Sequence, residues 1–265
     1  MAFITRKRLA RLGFGITALI TAASAVAGCG SGDHGHGDHT GARVVAASSW
    51  EAAFAKAAGA TDVTVIVPAA IEHAPDYDPK PSDLVAVSRA DFVLYAPFEG
   101  FAGKIKDAAG SSARMVSVNL DNSHDNVLSE VRRLGDMFGT RPAADTWLRD
   151  FDTVYGTLSA DLRAAWRNTQ PPTVIAQSFL GFAAQMSGAR VLGTYGPGEV
   201  TAKQVAELSG LRPQFVFANA QMDTGTVLSG AGARQLDLSN YPTANDDLLT
   251  VYRDTAATII AALRG

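Results

Sequence analysis

The sequence predicts an α/β fold of two lobes, each with a mostly parallel sheet, joined by one long rigid helix. From Arg43 onward, short β-branched runs alternate with segments of helical periodicity, in two sets of about four strands each. A single uninterrupted amphipathic stretch separates the two sets. The composition, 47% apolar and 18% charged over 265 residues, is that of a globular chain with enough apolar surface for one large or two modest domains. No repeat with a period of roughly 20–50 residues is visible, which argues against solenoids and propellers.

In the first set, strands are predicted over residues 44–47, 63–67, 92–95 and 115–118, with helical patterns over 50–58, 82–88 and 127–138. These make an N-terminal lobe of residues 43–141. The linking segment, 142–170, is different in kind. Trp147, Leu148, Phe151, Val154, Tyr155, Leu158, Leu162 and Trp166 recur at spacings of three and four, with Asp and Arg between them. That pattern predicts one helix of about 25 residues, roughly 37 Å at 1.5 Å per residue. Pro171 and Pro172 stop it. The second set, over 173–176, 191–193, 215–218 and 235–238, builds a C-terminal lobe of residues 171–265. Each lobe is Rossmann-like. A helical connection is stiffer than a Gly/Ser linker, so lobe motion is expected to be small. The ligand is expected between the lobes, beyond the C-terminal ends of the strands.

The N-terminus sets the compartment. Arg6, Lys7 and Arg8 precede an apolar run from Leu12 to Ala27 that is short for a membrane span of roughly 20 residues. The run ends at Val26-Ala27-Gly28-Cys29, which resembles the lipobox of bacterial lipoproteins. Residues 1–28 thus read as a lipoprotein signal peptide and Cys29 as the lipidated first residue of a protein on the outer face of the bacterial cell membrane. The alternative is an uncleaved signal anchor. Cys29 is the only cysteine, so no internal disulfide is available. Without its first 28 residues the chain holds 19 basic and 26 acidic residues, net −7 with His neutral, which is a poor match for nucleic acid.

Residues 29–42 are rich in Gly and carry His34, His36 and His39. Such a tract has too little apolar surface to order itself and reads as a flexible tether. Its imidazoles suit zinc, copper or nickel, although a solvated linker of drifting composition has the same appearance. The formal match Gly30-x-Gly32-x-x-Gly35 follows no strand and opens no helix, so it carries no dinucleotide reading. In the body, the densest polar loop runs from Ile71 to Leu84 and is stiffened by Pro75, Pro79 and Pro81. His73 there is either a metal ligand, with Glu72 beside it, or an exposed loop histidine. Glu99 and Glu199 either reach the cleft or sit as carboxylates near helix N-termini.

Tyr77-Asp78-Pro79-Lys80-Pro81-Ser82-Asp83-Leu84, followed by Ser88-Arg89-Ala90-Asp91-Phe92, resembles a stretch of the zinc/manganese-binding proteins of bacterial ABC importers. The resemblance is specific over residues 73–95 and loose over the rest of the mature chain. It implies two α/β lobes bridged by a rigid helix. It also implies a divalent metal held between them by three histidines and a carboxylate. Carried over residue by residue, it places the first ligand at His73, which stands four residues before Tyr77 where the family has two. The second falls on His124, in Asp121-Asn122-Ser123-His124-Asp125, without the family's usual flanking residues. By register the third falls on Gln177. The carboxylate place lies near Asp237, although register favours Asn240. The implied cargo is zinc, with Mn2+ or Fe2+ as alternatives, and the implied partner an ABC permease. The protein is expected to be a monomer without catalytic activity.

Two other functions compete with this one. The segment 126–144 is also similar to siderophore- and cobalamin-binding proteins of the same fold, for which Phe98, Phe101, Phe179, Phe182 and Tyr241 supply candidate aromatics. An extracytoplasmic hydrolase would need small residues two before and two after its serine, whereas Ser178 stands between Ala176 and Leu180. Gly100-x-x-Gly103-Lys104 lacks the loop length of a phosphate-binding P-loop.

Overall fold

The computed structural model describes residues 41–68, 71, 77–111, 113–222, 225–230, 232–242 and 247–265. The expectations for Cys29, His34, His36, His39 and His73 fall outside them.

The first sheet contains β1 (Arg43–Ala46), β2 (Asp62–Val65), β3 (Phe92–Tyr95) and β4 (Arg114–Ser117), all parallel, in the order β2-β1-β3-β4. The second contains β5 (Thr173–Gln177), β6 (Arg190–Tyr195), β7 (Phe215–Asn219) and β8 (Arg234–Leu238), again parallel, in the equivalent order β6-β5-β7-β8. In both sheets the order in which the chain adds strands therefore reverses after the first one, which opens a crevice beyond the β1/β3 and β5/β7 ends. The predicted two-lobe α/β fold is the one observed.

Local chemistry explains the helices. Helix α1 (Ser49–Ala57) starts with a capping box in which Ser48 and Glu51 satisfy each other's backbone. Pro81 opens α2 (Pro81–Arg89), where its missing N–H is harmless. Helices α3 (Ala102–Ala109) and α4 (His124–Phe138) complete the first lobe. Gly139 ends α4 in the left-handed region, at φ 73°. Helix α5 (Arg141–Ala164) then runs for 24 residues, about 36 Å. It lies against α4 so closely that a Cβ on Gly135 would come 2.6 Å from the Ala144 Cβ. The second lobe adds α6 (Gly181–Ser187), α7 (Ala202–Gly210) and α8 (Leu248–Arg264). Among the described residues no helix is long and apolar enough to cross a membrane.

One hydrophobic core is continuous through both lobes. It joins Phe54 of α1, Leu134 of α4, Phe151 and Leu162 of α5, Phe182 of α6 and Tyr252 of α8. Smaller clusters lie on the opposite faces of the sheets, around Val93 and Ile105 in the first lobe and Ile175 and Val216 in the second. Each sheet is thus covered on both faces, as parallel sheets require. Strand β6 is longer than the predicted 191–193. It follows β5 as far as the Gln177–Tyr195 pair, with an irregularity at Val174/Ile175. Gly193 weakens the sequence signal there, and a Cβ on it would come 2.9 Å from Leu208.

Candidate functional site

A cavity of about 570 Å3 opens between the lobes, at the C-terminal ends of the strands. Trp50, Phe98 and the residues Asn119, Leu120, Asp121 and Ser123 line its N-terminal side. Ser178, Phe179, Phe182 and Gln185 line the other. Aromatic rings hold the walls together. Trp50 stacks on Tyr241 at 5.6 Å and meets the edge of Phe179 at 6.3 Å, while Phe98 meets Phe179 at 6.3 Å. Phe98 is 53% exposed and forms the lip.

Asn122 ties the lobes together behind these rings. Its Oδ1 accepts from the Trp50 indole N–H at 3.1 Å and its Nδ2 donates to the Asn240 carbonyl. Its own carbonyl accepts from the Tyr252 hydroxyl at 2.7 Å. Asn122 and Asn240 are both buried, and the Asn240 Oδ1 has no hydrogen-bond partner.

Two carboxyl groups lie at the first lobe's sheet crevice. Glu51 follows β1 and is fully buried at 0% exposure; Glu99 follows β3 and is 4% exposed. Glu51 Oε2 accepts from the Ser48 N–H at 3.0 Å and from the Ser48 hydroxyl, while its Oε1 has no partner. Glu99 Oε2 accepts from the Ala96 N–H at 2.9 Å. Burial pushes the Glu51 carboxyl up to about 7, against the opposing pull of the Ser48 hydrogen bonds. Burial, reinforced by the Glu51 charge, pushes Glu99 up to about 9. No ion pair neutralises either group among the described residues.

Sequence reasoning placed other residues at the site. His124 does start α4, but its ring turns toward α5. Nε2 lies 2.8 Å from Asp152 and Nδ1 3.2 Å from Asp125, and the imidazole packs on Phe151 and Tyr155 at 5.5 and 4.7 Å. Both ring nitrogens are thereby engaged away from the cavity, which His124 does not line. Asp237 lies within β8, where strand alternation buries Leu236 and Leu238 and turns Asp237 outward. Its Oδ1 accepts from Gln235 Nε2 at 3.0 Å.

Gln177 does end β5 at the crevice, buried, yet its Oε1 already accepts from the Phe179 N–H at 2.7 Å. Its Nε2 lies 3.4 Å from the Met222 sulfur, and Gly196, at φ 78°, leaves room for it. Among the described residues no group of three or more His, Cys, Asp or Glu is placed to hold a metal ion. Glu51 did not stand out in the sequence. Its available signal was the Ser48-x-x-Glu51 spacing directly after a strand, which reads as a helix cap and reveals nothing about burial.

No family model and no curated protein matches the chain. Solved structures do. The SBP FpvC from Pseudomonas aeruginosa in complex with Mn2+ is similar with a TM-score of 0.62 and 14% identity, over 84% of this chain and 97% of that chain. The laminin-binding protein Lmb of Streptococcus agalactiae, described as a bifunctional protein with adhesin and metal transporting activity, has a TM-score of 0.60 and 15% identity, over 84% and 99%. A zinc-bound deletion mutant of ZnuA has a TM-score of 0.59 and 16% identity, over 84% and 95%. At such identities the likeness establishes the fold.

Proposed function

We propose that this chain is the extracytoplasmic solute-binding component of an ABC importer, and that it captures a divalent transition metal ion between its lobes. The ion would be zinc, with Mn2+ or Fe2+ as alternatives, and a membrane permease would receive it. The observation that supports this most is the cleft. It joins the C-terminal strand ends of two equivalent parallel sheets, in a fold shared with proteins whose structures contain Mn2+, Ni2+ or zinc. His73 would supply a neutral imidazole from the loop after β2, and Gln177 and Asp237 would adjust the electrostatics of the second lobe. Given its surroundings, His124 would act by fixing α4 on α5. Anchoring through Cys29 at the outer face of the membrane would keep a monomeric receptor near its permease, with the tether histidines as a reservoir of loosely held ions. The chain would carry out no covalent chemistry.

The cavity also supports a second reading. Its volume of about 570 Å3 and its Trp50, Phe98, Phe179 and Phe182 walls would accommodate a small organic or chelated-metal solute. Calorimetric titration separates the two. Zinc, Mn2+ and Fe2+ are each titrated into the protein with His34, His36 and His39 replaced by serine, beside the same protein carrying His73→Ala. One-to-one binding by the tether variant supports ion capture, and its weakening by His73→Ala assigns the loop histidine. Affinity through that imidazole should decline below about pH 6.5. If none of the three ions binds, ion capture is rejected and the chelated or organic solute becomes the better reading.

A further inference from the structure

The inter-lobe cavity has two properties that bear on what it can hold: its rings and its charge. Phe98 stands 53% exposed at the lip, the one exposed aromatic side chain among the described residues. Its ring lies 6.3 Å from Phe179 at an interplanar angle of 40°, so the pair is splayed and does not close into a parallel stack. Phe182 and Trp50 complete the aromatic wall, with Trp50 held on Tyr241 and Phe179.

Asp121 is the one charged side chain on the described lining; the other polar ones are asparagine, serine and glutamine. Its own loop fixes it in place. Asp121 Oδ1 accepts from the Ser123 N–H at 2.9 Å and Oδ2 from the Ser123 hydroxyl at 3.0 Å, while its N–H donates to Asn119 Oδ1 at 3.2 Å. Asn126 Nδ2 braces the same loop through the Asn119 and Asp121 carbonyls. The Ser123 donors use only part of a carboxylate's acceptor capacity of roughly four positions. No lysine, arginine or histidine pairs with Asp121 among the described residues. An anionic solute in this cavity would therefore meet a carboxylate and no counter-charge on the described lining. The chain beyond residue 28, net −7, adds a field of the same sign. A cation gains from both. It also gains from the rings, whose faces attract positive charge within about 6 Å of their centroids.

We infer that the inter-lobe cavity takes an organic cation, an alkylated ammonium with an apolar body, seated against Phe98 and Phe179 and balanced by Asp121. This rests on the second reading of the cleft, as a receptor for a small organic solute, and gives that solute its charge. A volume of about 570 Å3 suits a small organic molecule. An alkylated ammonium brings methyl and methylene groups to the aromatic wall together with its charge, which a bare ion does not.

The test is calorimetric titration of the full chain with choline, with the uncharged analogue of choline in which carbon replaces nitrogen, with benzyltrimethylammonium and with ferric citrate. Wild type is compared with Asp121→Asn and Phe98→Leu, both at exposed side chains where the fold tolerates change. At least one of the two ammonium ions should bind about tenfold more tightly than the uncharged analogue. Each substitution should weaken that ammonium ion about tenfold and leave the uncharged analogue unaffected. Equal binding of the uncharged analogue, or ammonium binding that survives either substitution, overturns the inference and leaves an organic solute standing. Binding of ferric citrate alone does the same. If none of the four binds, the inference and the organic-solute reading fall together.

Discussion

At the β1/β3 ends of the first lobe stand Glu51 and Glu99, and at the β5/β7 ends of the second stand Gln177 and Asn219. The strand order is equivalent in the two lobes, and all four residues are buried. Their satisfaction differs. Gln177 Oε1 accepts from the Phe179 N–H, and Asn219 Oδ1 accepts from the Gln221 N–H at 2.9 Å, so each amide completes its own turn. Glu51 keeps an oxygen without a donor and Glu99 sits beside it as a second carboxyl. Repeating a fold has supplied two equivalent crevices, one ending in buried carboxyl groups and one in amides that complete their own turns. The ionisable groups at the strand ends are therefore one-sided: the first lobe holds two carboxyls and the second two amides.

The strongest way to break this comparison is to remove the aromatic hinge between the sides. Trp50→Ala deletes the stack on Tyr241 and the donor to Asn122, and should cost about 3–5 kcal/mol in denaturant unfolding. A cost below about 1 kcal/mol would show that the lobes do not depend on this contact.

Next in size is a pH effect. Glu51 and Glu99 have folded-state values raised to about 7 and about 9. Below the unfolded carboxyl value, near 4.5, both states hold these protons. As pH rises above it the unfolded chain releases them first, so the native state loses stability until each group's folded-state value is passed. Metal-free protein should thus unfold at a higher temperature at pH 5 than at pH 9. Glu99→Gln should flatten that slope and raise the melting temperature at pH 9. Gln177→Glu, which copies the first lobe's chemistry into the second, should steepen it. Equal slopes in all three proteins would show that the two crevices do not differ electrostatically.

A smaller effect is expected at the bolt between the sides. Asn122→Ala removes the acceptor of the Trp50 indole and the donor to Asn240, at about 1–3 kcal/mol. Faster amide exchange should then appear around both partners, and exchange confined to one lobe would argue against a shared bolt. The smallest effect belongs to Asp237→Asn on the outer side of β8. It should stay within about 0.5 kcal/mol and leave ion affinity unchanged. A tenfold loss of affinity would return the carboxylate to the site.

The fold was legible because parallel strands buried on both faces read as continuous β-branched runs, and because α5 repeats its apolar stripe without a break. Both signals are local. The site was harder to read because its determinants are not. His124 follows β4 as expected, but whether its ring faces a cleft or a helix depends on Phe151, Tyr155 and Asp152, all more than 25 residues away in sequence. Asp237 has the right chemistry one residue out of phase, and in a strand a single step changes the face. Gln177 occurs at the crevice, with its oxygen already committed by the turn it begins. Glu99 admitted two readings. Its burial beside Glu51 is a tertiary fact that no local pattern encodes.

Helix α5 packs along α4, α6 and α8 within the core common to both lobes, so it is a strut and not a hinge. On the proposed reading, a cleft braced by such a strut would exchange its ligand with little swing of the lobes. Entry and exit then depend on the rim, where Phe98 and the loops after β3 and β4 can shift without disturbing the strut. Small-angle scattering profiles of the empty and loaded protein should therefore superimpose. On that reading, a permease that distinguishes the two would read the texture of the lip more than the span between the lobes.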